Sequence, residues 1–287
     1  MQFTDISQNL STLLTRSLKP DTFEWLQQRI ASVVDHAATK DLYLGYSLVA
    51  SKVVSDKEAE IDFPRNPLGT YLKAQGATPL QLARMYLLIG VLEGNTPFFA
   101  PKIAQIIQVA DTGELITFLK FLILLPEPET YRSAAVEALR TNIAPVFDAI
   151  SAHNPYPSQY FNDQEWNQMY LKAAFMERDL SVISDVKERA NGELARIISD
   201  YAHERWAASR KVDPLFWKPV GNFLDDRLLE DMKRLLNSPD TKEQLAGALC
   251  CMESSEKAAA ILLQQYPKIQ QQVANDAVSW DTLNVYE

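Results

Sequence analysis

Two short segments in the second half of the sequence carry most of the side chains that could bind a ligand. In the first, Asn167, Gln168 and Lys172 interrupt an otherwise apolar stretch over 165–175. A helix that is apolar nearly all round is usually buried. Buried amides need hydrogen-bond partners, and an unpaired buried ammonium group is costly. We therefore expect these three side chains to contact other polar protein groups or to line a cavity.

The second segment, 191–210, places an arginine on an apolar helix face. Arg205 follows Tyr201 by four residues and Ile198 by seven, so all three side chains project from the same side of a helix. An arginine there must pair with a carboxylate, cap a helix end or receive an anionic ligand, and a structural ion pair is the default interpretation. Trp206 lies beside it, and a tryptophan next to an arginine is a pairing found in ligand-site walls.

A metal-dependent reaction would need ligands that the same segment supplies only in part. Asp200, His203 and Glu204 lie within about one helical turn, so their side chains could bind one metal ion. A metal-dependent enzyme that uses these three residues is therefore the alternative function. A zinc-protease helix would need a second histidine at the position of Ala207. The simpler interpretation is a solvated helix face on which Arg196 pairs with Asp200. We therefore predict no catalytic residue, no metal site and no cofactor.

Charge and cysteine content narrow the class of partner and the compartment. Acidic residues outnumber basic ones by 37 to 28, giving a net charge of -9, and no run of basic residues offsets it. Such a chain repels phosphate backbones, so we expect no nucleic-acid partner. The only cysteines, Cys250 and Cys251, are adjacent and do not resemble a secreted disulfide framework. Their expected role is packing within a reducing compartment.

Neither a signal peptide nor a membrane span is predicted. The opening residues lack a basic segment, and the most apolar window, 115–125, is shorter than the roughly 20 residues needed to cross a bilayer. This window is expected to be a buried helix. We predict a cytoplasmic protein with no transmembrane segment.

The elements that must position these side chains are predicted to be helices throughout. Glycines number only 9, apolar residues recur at helical spacing, and no stretch alternates as a strand would. Helix starts are expected at Thr78-Pro79 and Thr96-Pro97, and a break at 55–77. Helices are predicted over 129–152, 163–178 and 191–210, among others. Short links favour antiparallel hairpins, so we predict an all-α fold, namely an α-α superhelix of irregular antiparallel hairpins (HEAT-like), with a compact helical bundle as the alternative.

The loop at His153–Pro157 divides the sequence into halves, 1–153 and 154–287. We expect the halves to form one continuous domain, with the residues of interest in the second.

Several strings in the second half resemble the EboA-domain family. They are NPYP at 154–157, WNQMxLKAxF at 166–175, ERANxELAR at 188–196 and DYAHERWAA at 200–208, where x marks a position that is not part of the resemblance. The resemblance implies a helical protein encoded with bacterial and algal genes that move a biosynthetic precursor between compartments, associated in cyanobacteria with the pigment scytonemin. The partners implied are a prenyltransferase-like membrane protein and metal-dependent, barrel-type enzyme relatives.

Together, the residues and the resemblance predict a noncatalytic adaptor or carrier in metabolite traffic. Its ligand would be a small aromatic or prenylated precursor, and its ligand- or partner-binding residues would be Asn167, Gln168, Lys172, Arg189, Asn191, His203, Arg205 and Trp206. A buried polar network that only fixes the fold would use the same residue types, so both interpretations remain open.

Overall fold

The computed structural model describes residues 3–53, 61–274 and 278–285, and all regular secondary structure within these ranges is helical. The predicted all-α class is confirmed, whereas the superhelical arrangement stays a prediction. The chain divides into two compact units, 1–161 and 162–287. The expectation that the two halves form one continuous domain also stays a prediction.

The first unit consists of ten α-helices, as far as its described residues extend, and two 3₁₀-helices, Leu122–Leu124 and Pro128–Tyr131. The α-helices are α1 (Ile6–Ser17), α2 (Pro20–His36), α3 (Thr39–Lys52), α4 (Pro67–Ala74), α5 (Pro79–Ala104), α6 (Ile106–Val109), α7 (Thr112–Phe121), α8 (Arg132–Ala138), α9 (Ala144–Ser151) and α10 (Tyr156–Tyr160).

Helix α5 forms the centre of the first unit, because α1, α2 and α3 all pack against it. Its first half is buried on most sides. The contact with α2 needs a residue without a side chain, since a Cβ on Gly94 would lie 2.6 Å from Cγ2 of Val34. At Asn95 the backbone leaves the helical region, and the Asn95 side chain accepts a hydrogen bond from the Phe98 N–H. The new helix start that the sequence predicts at Thr96-Pro97 therefore corresponds to a kink within α5 at Asn95.

Two predictions for the first unit are wrong because of proline. The predicted helix over 129–152 is interrupted between α8 and α9, since Pro145 has no N–H and its ring obstructs the preceding helical turn. In the predicted break at 55–77, residues 55–60 lie outside the described residues, but α4 occupies 67–74. There Pro67 is the first helical residue, and Asn66 caps the helix by accepting a hydrogen bond from the Gly69 N–H at 2.8 Å.

The second unit contains six α-helices among its described residues. They are α11 (Asp163–Phe175), α12 (Gly192–Ala207), α13 (Asp226–Leu236), α14 (Thr241–Glu253), α15 (Lys257–Gln264) and α16 (Pro267–Ala274), with 3₁₀-helices at Leu180–Val182, Pro214–Trp217, Gly221–Phe223 and Leu283–Val285. Helix α14 is the centre of this unit and packs against α13, α15 and α16. Cys250 and Cys251 lie buried within it. Burial raises the pKa of the Cys251 thiol to about 12, so at neutral pH it carries no thiolate for chemistry.

Helices α11 and α12 run in the same direction and therefore do not form an antiparallel hairpin. Asn167 contacts Asn191 at the beginning of α12, and Glu177, just after α11, approaches Arg205 near the end of α12. The 176–191 linker is long enough to return the chain to the level at which α11 begins. Both helices then end on a residue with left-handed backbone, Glu177 with φ 53° and Ser209 with φ 56°.

Candidate functional site

Three of the predicted site residues form a polar network where α12 begins. Asn167 is buried, and it exchanges two amide hydrogen bonds with Asn191 at 3.1 and 2.9 Å. Asn191 also caps α12, because its Oδ1 accepts a hydrogen bond from the Leu194 N–H at 2.9 Å, and its Nδ2 donates to the Arg189 carbonyl oxygen. These amides satisfy one another and a helix end, which is what a network that fixes the fold requires.

Arg189 extends this network toward the first turn of α11. Its Nη2 donates to Asp163 Oδ1 at 3.1 Å, and its guanidinium lies 5.2 Å from the ring centroid of the buried Trp166. The side chain therefore bridges the starts of the two helices. Of the remaining predicted residues on α11, Gln168 is exposed and Lys172 is half-buried. Burial lowers the pKa of the Lys172 ammonium group below its usual value.

We predict that Asn191→Ala lowers the free energy of unfolding by about 0.5–2 kcal/mol, the usual range for loss of a helix N-cap. The substitution removes the cap of α12 and both hydrogen bonds to Asn167. Urea unfolding would measure the change, with Asn222→Ala as a control because Asn222 is exposed. Unchanged stability in Asn191→Ala would contradict the structural role of this pair.

His203 belongs to a second group, on the face of α12 that meets α13. Its Nε2 lies 2.6 Å from Oδ1 of Asp231, and the hydroxyl of the fully buried Ser199 donates to Oδ2 of the same carboxylate at 2.6 Å. The serine bonds to the carboxylate and not to the histidine, so this is not the relay of a serine nucleophile. Its geometry instead ties α12 to α13.

Sequence reasoning missed Asp231, although a signal was present. Asp231 follows Leu228 by three residues and precedes Leu235 by four, so it lies on the apolar face of α13, where both leucines are buried. A carboxylate on such a face needs partners, by the same rule that singled out Arg205.

Trp206 packs in this second group and not beside Arg205. Its ring lies 5.8 Å from the ring of the buried Trp217 in a nearly parallel stack and 5.5 Å from the ring of His203. The guanidinium of Arg234 lies 4.2 Å from the Trp206 centroid. These contacts of Trp206 do not include Arg205, so they do not form the ligand wall that the sequence predicts from these two residues.

Two of the three proposed metal ligands of the alternative function, Asp200 and His203, have other partners. Asp200 pairs with Arg196 at 3.1 Å and with Arg227 at 2.7 Å, and His203 is directed to Asp231. No group of three or more histidine, cysteine or acidic side chains converges as a metal site within the described residues. The ion pair between Arg196 and Asp200 is the one that the solvated-face interpretation predicts.

Arg205 lines an open cleft where α11 and α12 end. This cleft has a volume of about 400 Å³ and is called the arginine cleft below. It is lined by Ala174, Glu177, Arg178, Asp179, Tyr201, Arg205, Lys211, Val212, Asp213 and Phe216. Since Asn191 and Arg205 are 14 residues apart on one helix, about 21 Å separates the polar network at the start of α12 from the cleft at its end. The eight predicted residues therefore do not form a single site.

The guanidinium of Arg205 is oriented by the backbone and held only loosely by a carboxylate. Its Nε donates to the Lys211 carbonyl oxygen at 3.0 Å, which fixes the side chain against the turn that follows α12. Its Nη2 lies 3.8 Å from Oε1 of Glu177, whose side chain is 79% exposed. An exposed pair at this distance contributes little. An ion pair, the default interpretation of Arg205, is thus present, but it is long and involves an exposed glutamate.

The aromatic wall of the arginine cleft is rigid. Phe216 is fully buried and stacks on Tyr170 with a centroid distance of 5.6 Å, while Tyr201 meets Phe216 edge to face at 5.2 Å. Buried aromatic rings beside a small number of polar groups are typical of ligand sites. Phe216 was not predicted, because it lies in a 3₁₀-helix whose distance from Arg205 depends on the turn after α12.

A larger groove of about 800 Å³ lies in the first unit, lined by parts of 104–115 and 130–146. Its two charged residues, Glu137 and Arg140, pair with each other at 2.9 Å. In the arginine cleft, by contrast, Asp179 and Asp213 have no ion pair among the described residues. For this reason the smaller cleft is the better candidate for recognising a specific ligand.

The fold and the cleft define an all-α protein of two helical units, the second of which contains an open cleft with charged and aromatic walls. Residues 6–221 match the model of the family described as metabolite traffic protein EboA. The chain belongs to the EboA family, as its resemblance predicted. The matched range includes the arginine cleft and all eight predicted residues, and it ends before α13 and Asp231.

No curated protein and no solved structure matches the chain. Among the helices in the described ranges, none has the length and apolar character that crossing a bilayer requires.

Proposed function

We propose that this protein is a noncatalytic, cytoplasmic carrier in metabolite traffic, which binds a small precursor in the arginine cleft and delivers it for export. The description of its family as metabolite traffic proteins supports the process. Because the family resemblance implies an association with scytonemin in cyanobacteria, we propose a precursor of the scytonemin type as the cargo there. Proteins of the same gene group, a prenyltransferase-like membrane protein and barrel-type enzymes, are the proposed partners.

The observation that carries this proposal is the state of Arg205. A guanidinium on the wall of a 400 Å³ cleft, fixed by a backbone carbonyl group and lacking a close carboxylate, can bind an acidic group of a ligand. Arginine binds carboxylates through two parallel hydrogen bonds, which gives orientation as well as affinity. The partly exposed ring of Tyr201, which packs on the buried Phe216, would contact the apolar body of such a ligand.

The other predicted residues divide by exposure into two proposed roles. Gln168 and His203 are exposed and Trp206 is half-buried, so their surfaces are open to a partner protein. Asn167, Asn191 and Arg189 would hold α11 and α12 in place, as their mutual hydrogen bonds favour. Lys172, half-buried on α11, is proposed to support the same helix pair.

We predict that Arg205→Gln weakens retention of the cargo by about tenfold or more, because a hydrogen bond to a charged group contributes about 1.5–3 kcal/mol. The full chain would be purified from a native host, and bound small molecules and proteins would be quantified by mass spectrometry. Arg210→Gln is the matched control, since Arg210 is exposed nearby and does not line the cleft.

Two outcomes would count against the proposal. If Arg205→Gln retains the same small molecules as the control, the cleft does not hold the cargo through this arginine. If the variant is unfolded by circular dichroism, Arg205 acts chiefly in stability. Recovery of protein partners with no small molecule in any sample would identify a scaffold instead of a carrier.

A further inference from the structure

The walls of the arginine cleft carry charges of both signs in equal number. Its lining residues include three basic side chains, Arg178, Arg205 and Lys211, and three acidic ones, Glu177, Asp179 and Asp213. A simple anion would meet the carboxylates, and a neutral hydrocarbon would desolvate charged groups on both walls without pairing them. A ligand that carries both a negative and a positive group can pair with Arg205 on one side and with Asp179 and Asp213 on the other.

The acidic wall consists of two carboxylates that have no basic partner among the described residues. Asp179 Oδ1 accepts hydrogen bonds from the Ser181 N–H at 2.9 Å and from its hydroxyl at 2.6 Å. Asp213 Oδ1 accepts one from the Leu215 N–H at 2.9 Å. These bonds fix both carboxylates through Oδ1. Each Oδ2 has no described donor and can accept one from a ligand.

The charge of Asp179 also acts on the carboxyl group of Asp213. Burial raises the pKa of the Asp213 carboxyl above its usual value, and the charge of Asp179 raises it further, against the effect of the Leu215 N–H. An ammonium group beside Asp213 would offset the effects that raise the pKa of its carboxyl group. The acidic wall is therefore suited to a cation.

We propose that the arginine cleft binds a small aromatic zwitterion of the α-amino-acid type. The ligand carboxylate pairs with Arg205, its ammonium group lies between Asp179 and Asp213, and its ring packs against Tyr201, which in turn contacts the buried Phe216. The inference rests on the proposed function and specifies the class of ligand. The volume of about 400 Å³ lies within the usual range for small-molecule sites.

The test is isothermal titration calorimetry of the full chain with L-phenylalanine, L-tyrosine and L-tryptophan. Two analogues separate the charges, since N-acetyl-L-phenylalanine lacks the ammonium group and phenethylamine lacks the carboxylate. We expect at least one of the amino acids to bind, and phenylalanine to bind about tenfold or more tightly than either analogue if it is that ligand. If tyrosine or tryptophan binds best, the N-acetyl derivative and the decarboxylated amine of that amino acid replace the two phenylalanine analogues in the comparison. Failure of all three amino acids to bind would overturn the proposal.

A substitution in the acidic wall tests whether Asp213 contacts the ammonium group of the ligand. Asp213→Asn keeps the Oδ1 acceptor for the Leu215 N–H, so the turn is expected to fold normally. We predict that it lowers affinity for the amino acid by about tenfold and leaves affinity for the N-acetyl analogue unchanged, because only the ammonium contact is lost. Asp226→Asn is the control, since Asp226 is exposed and outside the cleft.

The outcomes distinguish this inference from the proposed function. If the N-acetyl analogue binds as tightly as the amino acid and Asp213→Asn has no effect, the proposal of a zwitterionic ligand is wrong. The proposed function would then remain, with an acidic metabolite bound at Arg205. If Arg205→Gln changes the affinity of no ligand, the arginine cleft is not the binding site and both proposals fail.

Discussion

Replacing Glu114 by alanine will lower the free energy of unfolding by about 3–5 kcal/mol, because it leaves a buried arginine without its countercharge. Oε1 of Glu114 lies 3.5 Å from Nη2 of Arg84, and both side chains are less than a tenth exposed. The other oxygen, Oε2, accepts a hydrogen bond from the Asp111 N–H in the capping box of α7. The lost carboxylate therefore serves both an ion pair and a helix start.

Two further substitutions separate the charge from the cap, and urea unfolding would measure each variant. Glu114→Gln keeps an oxygen acceptor for the Asp111 N–H and removes only the charge, so most of the loss should remain. The double variant Arg84→Met with Glu114→Gln should recover part of it, because no buried charge is then unpaired. Arg84 Nε already has no acceptor among the described residues, and its guanidinium lies 5.3 Å from the Tyr46 ring centroid.

The exposed pair between Glu137 and Arg140 provides the control. It lies in the same unit, at 2.9 Å, with side chains that are 51% and 78% exposed. Glu137→Ala should cost no more than about 1 kcal/mol, since solvent screens such pairs. If Glu114→Ala is as mild as Glu137→Ala, the buried pair does not stabilise the first unit.

Replacing Asp231 by alanine will cost about 2–4 kcal/mol, because two hydrogen bonds to one buried carboxylate are lost together. The Ser199 hydroxyl, fully buried, would have no acceptor, whereas His203 is half-exposed and can bond to water. Calorimetric or urea unfolding would show the change. The expected result is a stability defect without a change in ligand affinity at the arginine cleft.

A double-mutant cycle tests this explanation. Ser199→Ala alone should have a smaller effect, since Asp231 keeps its bond to His203. The combined variant Ser199→Ala with Asp231→Ala should be more stable than the sum of the two effects predicts, because the buried hydroxyl is no longer unsatisfied. Strict additivity would show that the two side chains are not coupled.

The local parts of the fold were predictable because their causes are local. Thr78 caps α5 with Gln81, and Asn162 caps α11 with Glu165, in capping boxes that span only four residues. The starts of these helices follow from such contacts. The prediction of one helix over 129–152 is wrong because apolar spacing alone does not account for Pro145, which has no N–H to donate within a helix.

The candidate site was predictable only one residue at a time. Arg205 and Asn167 were recognised because a polar group on an apolar helix face must have a partner. The identity of the partner depended on the path of the 176–191 linker, which makes α11 and α12 parallel where they meet. Asn167 then pairs with Asn191, and Glu177 approaches Arg205.

By itself, the sequence determined the helical class, the family and the individual polar side chains that needed partners, since composition, periodicity and capping act over a few residues. Only the tertiary structure decided that eight predicted residues belong to separate groups and that Arg205 and Asp213 line the same cleft. Asp179, Arg205 and Asp213 come from three segments, and their side chains lie together because two helix ends and a 3₁₀-helix meet there. Such a meeting depends on long-range packing, which no local pattern encodes.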